Sequence, residues 1–224
     1  MTINHEAMSQ STSNVPEPSS FVMHGKTHLL LWAMAEEYVE QARSLCFIAS
    51  TQPNSQPGWR KRHQDLIFCA IKCLVACVSL ESPSMTQLDK AKSRLRLAQI
   101  LFEETESSGR TEEEVNKAII IADTIQGSSA LDIQLQLYDL QIQIFIESKR
   151  FRLAKNTLRI ASSEATKHGL FAWTYQFVLL KARVYFLMDD VAGSLATLNQ
   201  GASLAELQGD FDLKARHCII RHMN

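Results

Sequence analysis

"SKRFRLAKNTLRIASSEATKHG", residues 148 to 169, decides the fold. Ala154, Leu158 and Ala161 follow one another at steps of four and three among many charges. Positions three and four apart share one face of a helix, so the spacing predicts a helix with one thin apolar stripe. Alanines at both ends of that stripe allow a second helix to come very close. Gly169 stands where the left-handed residue after a helix belongs.

A period tells whether the stripe stands alone or repeats. Ser194 lies forty positions after Ala154, and Val115 thirty-nine before it. Leu198 and Gly201 follow Ser194 by four and seven, as Leu158 and Ala161 follow Ala154. Val115 is followed in the same way by Ile119 and Ala122. Counting back twelve from Ser194 reaches Ala182, with Tyr185 three further on; the same step from Ala154 gives Ile142, then Phe145. Ala98 and Leu101 match them one pair earlier if that pair's turn is five residues longer. Small residues where helices cross, with a large one beside them, form the tetratricopeptide arrangement. The period exceeds the usual ~34 residues, which implies longer helices. The expectation is an all-α, right-handed α-solenoid of roughly four degenerate tetratricopeptide-like pairs.

Outward from this segment, helices are expected from near Thr27 through "LLLWAMAEEYVEQARSLCFIA", over about 61 to 80, and over about 85 to 105. "STQPNSQPGW" reads as a loop, and Pro83 closes the second helix. Thr111 with Glu114 has the pattern of a capping box opening "EEEVNKAIIIADTIQ". "LQLYDLQIQIFI" alternates apolar and polar residues as a strand would, but its length and helical neighbours favour helix. Further helices follow at about 171 to 188 and 191 to 207, parted by "MDD", where Asp189 and Asp190 read as caps. Residues 1 to 24 are rich in Ser, Thr, Asn and Pro and read as a disordered tail. The array is expected over 25 to 224, incomplete at its C-terminus, because "DFDLKARHCIIRH" opens one more helix.

Composition narrows the function class. Of 224 residues, 46% are hydrophobic and 21% charged, as in an ordinary globular protein. A formal net charge of −1 provides no general attraction to nucleic acid or acidic membranes. "LLLWAMA" is too short to span a bilayer, and no signal-peptide pattern precedes it. Cys69, Cys73 and Cys77 share one helix face, with His63 upstream, but zinc sites prefer shorter gaps and converging segments. They read as small buried apolar groups, so no metal and no cofactor is expected. No phosphate-cradling loop, nucleophile elbow or HExxH pattern occurs, and His217, Cys218 and His222 do not form a convincing site. No catalytic residue is assigned. The basic clusters "WRKRH" (59 to 63) and "SKRFRLAK" (148 to 155) read as solvated helix ends rather than a DNA surface.

The order and spacing of "AEEY", "KCLVAC", "AKSRLRLAQILFEET", "EEEVNKA", "FRLAKNTLRIAS" and "LATLNQGASLAELQGD" resemble the cohesin loading factor family from about residue 28 to 210. The resemblance implies the small, tetratricopeptide-type subunit of the cohesin loader, with only its N-terminal part present. It implies a nuclear, non-enzymatic scaffold wrapped around the extended N-terminal segment of the large HEAT-repeat loader subunit. Cohesin and chromatin would be reached indirectly, and direct DNA or membrane contact is not expected. Lys181 and Gln141 depart from the repeat pattern, which has a large apolar residue at that place. A generic tetratricopeptide adaptor for another peptide or protein is the alternative. On either reading the first helix of each pair lines the concave face. Its outward positions are Gln99 and Glu103, then Gln136, Asp139, Gln143 and Glu147, then Gln176, Arg183 and Phe186. Phe186 is the candidate aromatic anchor there.

Overall fold

The structure, a computed structural model, describes residues 26–51, 58–80 and 84–207. The expected tail, the centre of the first loop, Pro83 and the stretch holding His217, Cys218 and His222 lie outside the described residues. Among the described residues every regular element is an α-helix: α1 (Thr27–Thr51), α2 (Trp59–Ser79), α3 (Gln87–Glu104), α4 (Ser108–Ala122), α5 (Ser128–Glu147), α6 (Phe151–Lys167), α7 (Phe171–Leu187) and α8 (Val191–Leu207). They pack as four successive pairs, α1 on α2, α3 on α4, α5 on α6 and α7 on α8. Each pair also leans on the next, chiefly through α2 on α3, α4 on α5 and α6 on α7. The chain is an all-α solenoid.

The quoted segment forms α6, and its stripe lies in one of the buried cores. Ala154, Ala161 and Ala165 are fully buried and Leu158 nearly so. They share a core with Phe145, Ile146, Phe177, Leu180 and Val184. Of the remaining positions of the period, Ala98, Leu101, Val115, Ala122, Ile142, Ala182, Ser194, Leu198 and Gly201 are buried, and Ile119 and Tyr185 are half-buried.

The last three turns are built alike. Lys149, Gly169 and Asp189 have φ of 57°, 65° and 60°, twenty residues apart. In each turn the amide of the next residue reaches back to the helix, Arg150 to Phe145 O, Leu170 to Ala165 O and Asp190 to Tyr185 O. This closes the helix end by the Schellman pattern. Asp190 Oδ1 then accepts the Gly193 amide at 2.8 Å and caps α8.

The strand-like alternation of α5 has a packing cause. Ile133, Leu137, Leu140 and Ile144 face the core shared with α3 and α4. Leu135, Ile142, Phe145 and Ile146 face the core shared with α6 and α7. A helix gripped on two sides buries two apolar stripes, so residues two apart can both be inside.

One expectation is corrected. Thr111 is not the N-cap of α4, which begins at Ser108, and Thr111 is fully buried within it. Its hydroxyl donates to Ser107 O at 2.9 Å, and Glu114 pairs with Arg94 at 2.6 Å. A capping box instead opens α3, between Thr86 and Asp89. The two basic clusters are partly absorbed by the fold. Arg150 holds Glu112 of α4 at 2.6 Å and lies over the Phe145 ring, Arg60 stacks on Trp59, and His63 lies 3.5 Å from Glu104.

Candidate partner-binding face

The third side of α5 is polar. Asp132, Gln136, Asp139, Gln143 and Glu147 follow at steps of four, three, four and four, which places them on one stripe. This stripe lies between the first helices of neighbouring pairs, and polar bonds tie those helices together across it. Trp173 Nε1 of α7 donates to Asp132 at 3.1 Å, and Gln176 Nε2 donates to Asp139 at 3.2 Å. Gln136 and Gln143 donate within α5 to Asp132 and Asp139 at 2.8 and 2.6 Å. Burial pushes the Asp139 carboxyl above the usual carboxylate range, against the pull of the Gln176 and Gln143 amides.

The same face continues over α1 and α3. The Arg96 guanidinium grips Glu36 through two bonds of 2.7 Å, and Arg43 reaches Glu103 at 3.1 Å. Glu36 holds Arg96 above its ordinary pKa. Between α1, α3 and α5 lies a cleft of about 520 Å³, whose lining includes Trp32, Lys92, Arg96, Gln99, Asp132 and Gln136. Its wall of indole, amide, hydroxyl and charged groups can bond an extended backbone that brings unpaired amides and carbonyls.

The residues assigned from sequence are therefore distributed as follows. Gln99 and Gln136 line the one cleft, while Asp139, Gln143 and Gln176 form a single network. Glu103 is exposed and paired with Arg43; Glu147 and Arg183 are exposed. Phe186 is 42% exposed, but forty positions earlier stands Ile146, which is buried toward α6 and α7. Leu187, 43% exposed, is the residue in register with Glu147.

Sequence reasoning missed Trp32, Lys92, Arg96, Asp132 and Trp173. Asp132 could have been found by stepping back four from Gln136. The pairing of Arg96 with Glu36 spans sixty positions and leaves no local signal.

The four described cysteines lie in the first pair, Cys46 on α1 and Cys69, Cys73 and Cys77 on α2; Cys69 and Cys73 are half-buried, so only Cys77 meets the expectation of a buried apolar group. Cys77 is fully buried, with its Sγ 3.5 Å from His28 O and 3.6 Å from Ser93 Oγ. Burial pushes the Cys73 and Cys77 thiols up, making them poor nucleophiles at neutral pH. Among the described residues no group of three or more His, Cys, Asp or Glu is placed to hold a metal ion. None of the described helices is long and apolar enough to cross a membrane.

The profile of the cohesin loading factor family matches residues 27–223. The chain is 24% identical over 168 residues to the MAU2 chromatid cohesion factor homolog of Nematostella vectensis. That match takes in 73% of this chain but 26% of the relative, so the chain spans about a quarter of that protein's length. With nearly the whole helical array inside the family match, the chain belongs to the cohesin loading factor family.

Proposed function

We propose that this chain is a non-enzymatic scaffold in cohesin loading onto chromatin and sister-chromatid cohesion, acting in the nucleus. Its array binds the extended N-terminal segment of the large HEAT-repeat loader subunit. The observation that carries this reading is the polar stripe of α5, bridged to α7 by Asp132 with Trp173 and Asp139 with Gln176. The groove residues are Gln99, Glu103, Gln136, Asp139, Gln143, Glu147, Gln176 and Arg183, with Phe186 at the edge. Such a groove gains affinity from many weak contacts and loses part of it to ordering the bound segment. The helical array acts as one unit.

The test is a pull-down with the N-terminal segment of the large subunit. Replacing Gln143, Glu147 and Arg183 together by alanine weakens capture while helix content and melting temperature stay nearly unchanged. Undiminished capture by a folded triple variant assigns the contact to another face.

A further inference from the structure

The opposite side of the last two pairs holds a second trough. α6 and α8 both pack on α7 but make no extended contact with each other. One cavity of about 810 Å³ lies along α6 and α7, and one of about 370 Å³ adjoins it toward α8. The two share Ser162, Thr166 and Lys181, so they lie side by side as one channel-like groove along α7. Leu158 and Tyr185 line the first cavity and Val178 and Leu204 the second, with Ser162 and Thr166 where the two meet, so the floor is largely apolar between hydroxyls. Its rim is basic, with Lys155, Arg159, Lys167 and Lys181, and no acidic side chain lines either cavity.

These cations are poorly compensated. Lys155 sits over the Tyr185 ring at 4.6 Å, and Lys167 reaches Glu164 only at 3.7 Å. Arg159 and Lys181 have no acidic partner among the described residues. Residues 148–207 carry eight lysines and arginines against four aspartates and glutamates, in a chain whose net charge is −1. Lys181, which departs from the repeat pattern, belongs to both cavities.

We propose that this channel docks an amphipathic, acidic helix of a partner protein. An apolar floor between parallel helical walls takes the apolar face of a helix, and the basic rim pairs with carboxylates along its edges. A nucleic-acid duplex matches the charge but cannot reach the floor, because it is about twice as wide as an α-helix. The site is separate from the stripe of α5 and does not depend on what binds there.

The probe is a fluorescein-labelled synthetic helix of about 18 residues, about 27 Å long, with leucines at i, i+3, i+4 and i+7 spacing and glutamates between. Fluorescence anisotropy with the full chain shows saturable binding. Affinity falls about tenfold or more with Lys155→Glu combined with Lys181→Glu, and likewise when glutamine replaces glutamate in the probe. Arg159→Glu alone gives a smaller loss in the same direction, and circular dichroism confirms that each variant is folded. Three outcomes overturn the proposal: no saturable binding to the wild-type chain, equal binding by the folded charge-reversed variants, or equal binding of the glutamine probe. Tighter binding of single-stranded DNA that displaces the peptide also overturns it, in favour of a nucleic-acid site.

Discussion

Ala154→Leu tests the packing from which the fold was read. Ala154, Ala161 and Ala165 are each 0% exposed, and Leu158 is 2% exposed. They line one face of α6, so an added side chain cannot swing to solvent without moving the helix. A leucine introduces three further carbons into a core already filled by Phe145, Ile146, Phe177 and Leu180. Forcing such groups into a packed site costs about 1–3 kcal/mol. For a chain of this size each kcal/mol lowers the melting temperature by about 2–4 °C, so the shift is about 2–12 °C. Ile160→Ala on the same helix is the control: Ile160 is 45% exposed, and surface changes stay within about 0.5 kcal/mol. The assay is urea and thermal denaturation followed by circular dichroism, with hydrogen exchange of the α6 amides to locate the loss. Exchange matters because repeat arrays can unfold in more than one step. An unchanged midpoint and unchanged exchange for Ala154→Leu would refute the close crossing at this residue.

Ser194 occupies the matching place forty positions on, 2% exposed, and its hydroxyl has no hydrogen-bond partner among the described residues. Ser194→Ala removes a buried unpaired group and is expected to raise stability by about 1 kcal/mol; a loss of similar size in denaturation sinks the reasoning. Asp139→Asn addresses the carboxyl that burial pushes up. A raised value in the folded state means that the native chain binds the proton more tightly, so stability falls as pH rises from the ordinary Asp value, about 3.9, through the folded one. The variant therefore gains on the wild type as pH rises above the ordinary Asp value, and a difference that does not change with pH there contradicts the assignment.

The α6 stripe and its period were legible because close helix crossings tolerate few side chains. A core alanine such as Ala154 cannot be exchanged for a larger residue without strain, so the spacing survives in the sequence. Thr111 was misread because a capping-box pattern has no means of marking that its threonine is buried; Ser107 to Arg110 carry no apolar signal that would start the helix earlier. On the partner face, Gln136, Asp139 and Gln143 were accessible from their steps along α5. Trp173 and Arg96 were not, since their partners Asp132 and Glu36 lie forty-one and sixty positions away. Phe186 combines an aromatic side chain that is 42% exposed with a register that, forty positions earlier, belongs to the buried Ile146.

The sharing of α5 between two cores extends to α3, whose Leu97, Ile100 and Leu101 face α1 and α2 while Ala91, Leu95 and Ala98 face α4 and α5. The repeating unit of the sequence is a helix pair, but each buried core is built by a trio that overlaps the next by one helix. No boundary between pairs can then serve as a clean cut. A truncation after α4 strips α5 from the core of Val115 and Ala118, and one after α6 leaves the core around Leu158 without Phe177. Fraying from both ends opens the outer trios first, so the middle trio, α3 to α5, is expected to be the last to lose amide protection, whatever occupies the grooves on either side.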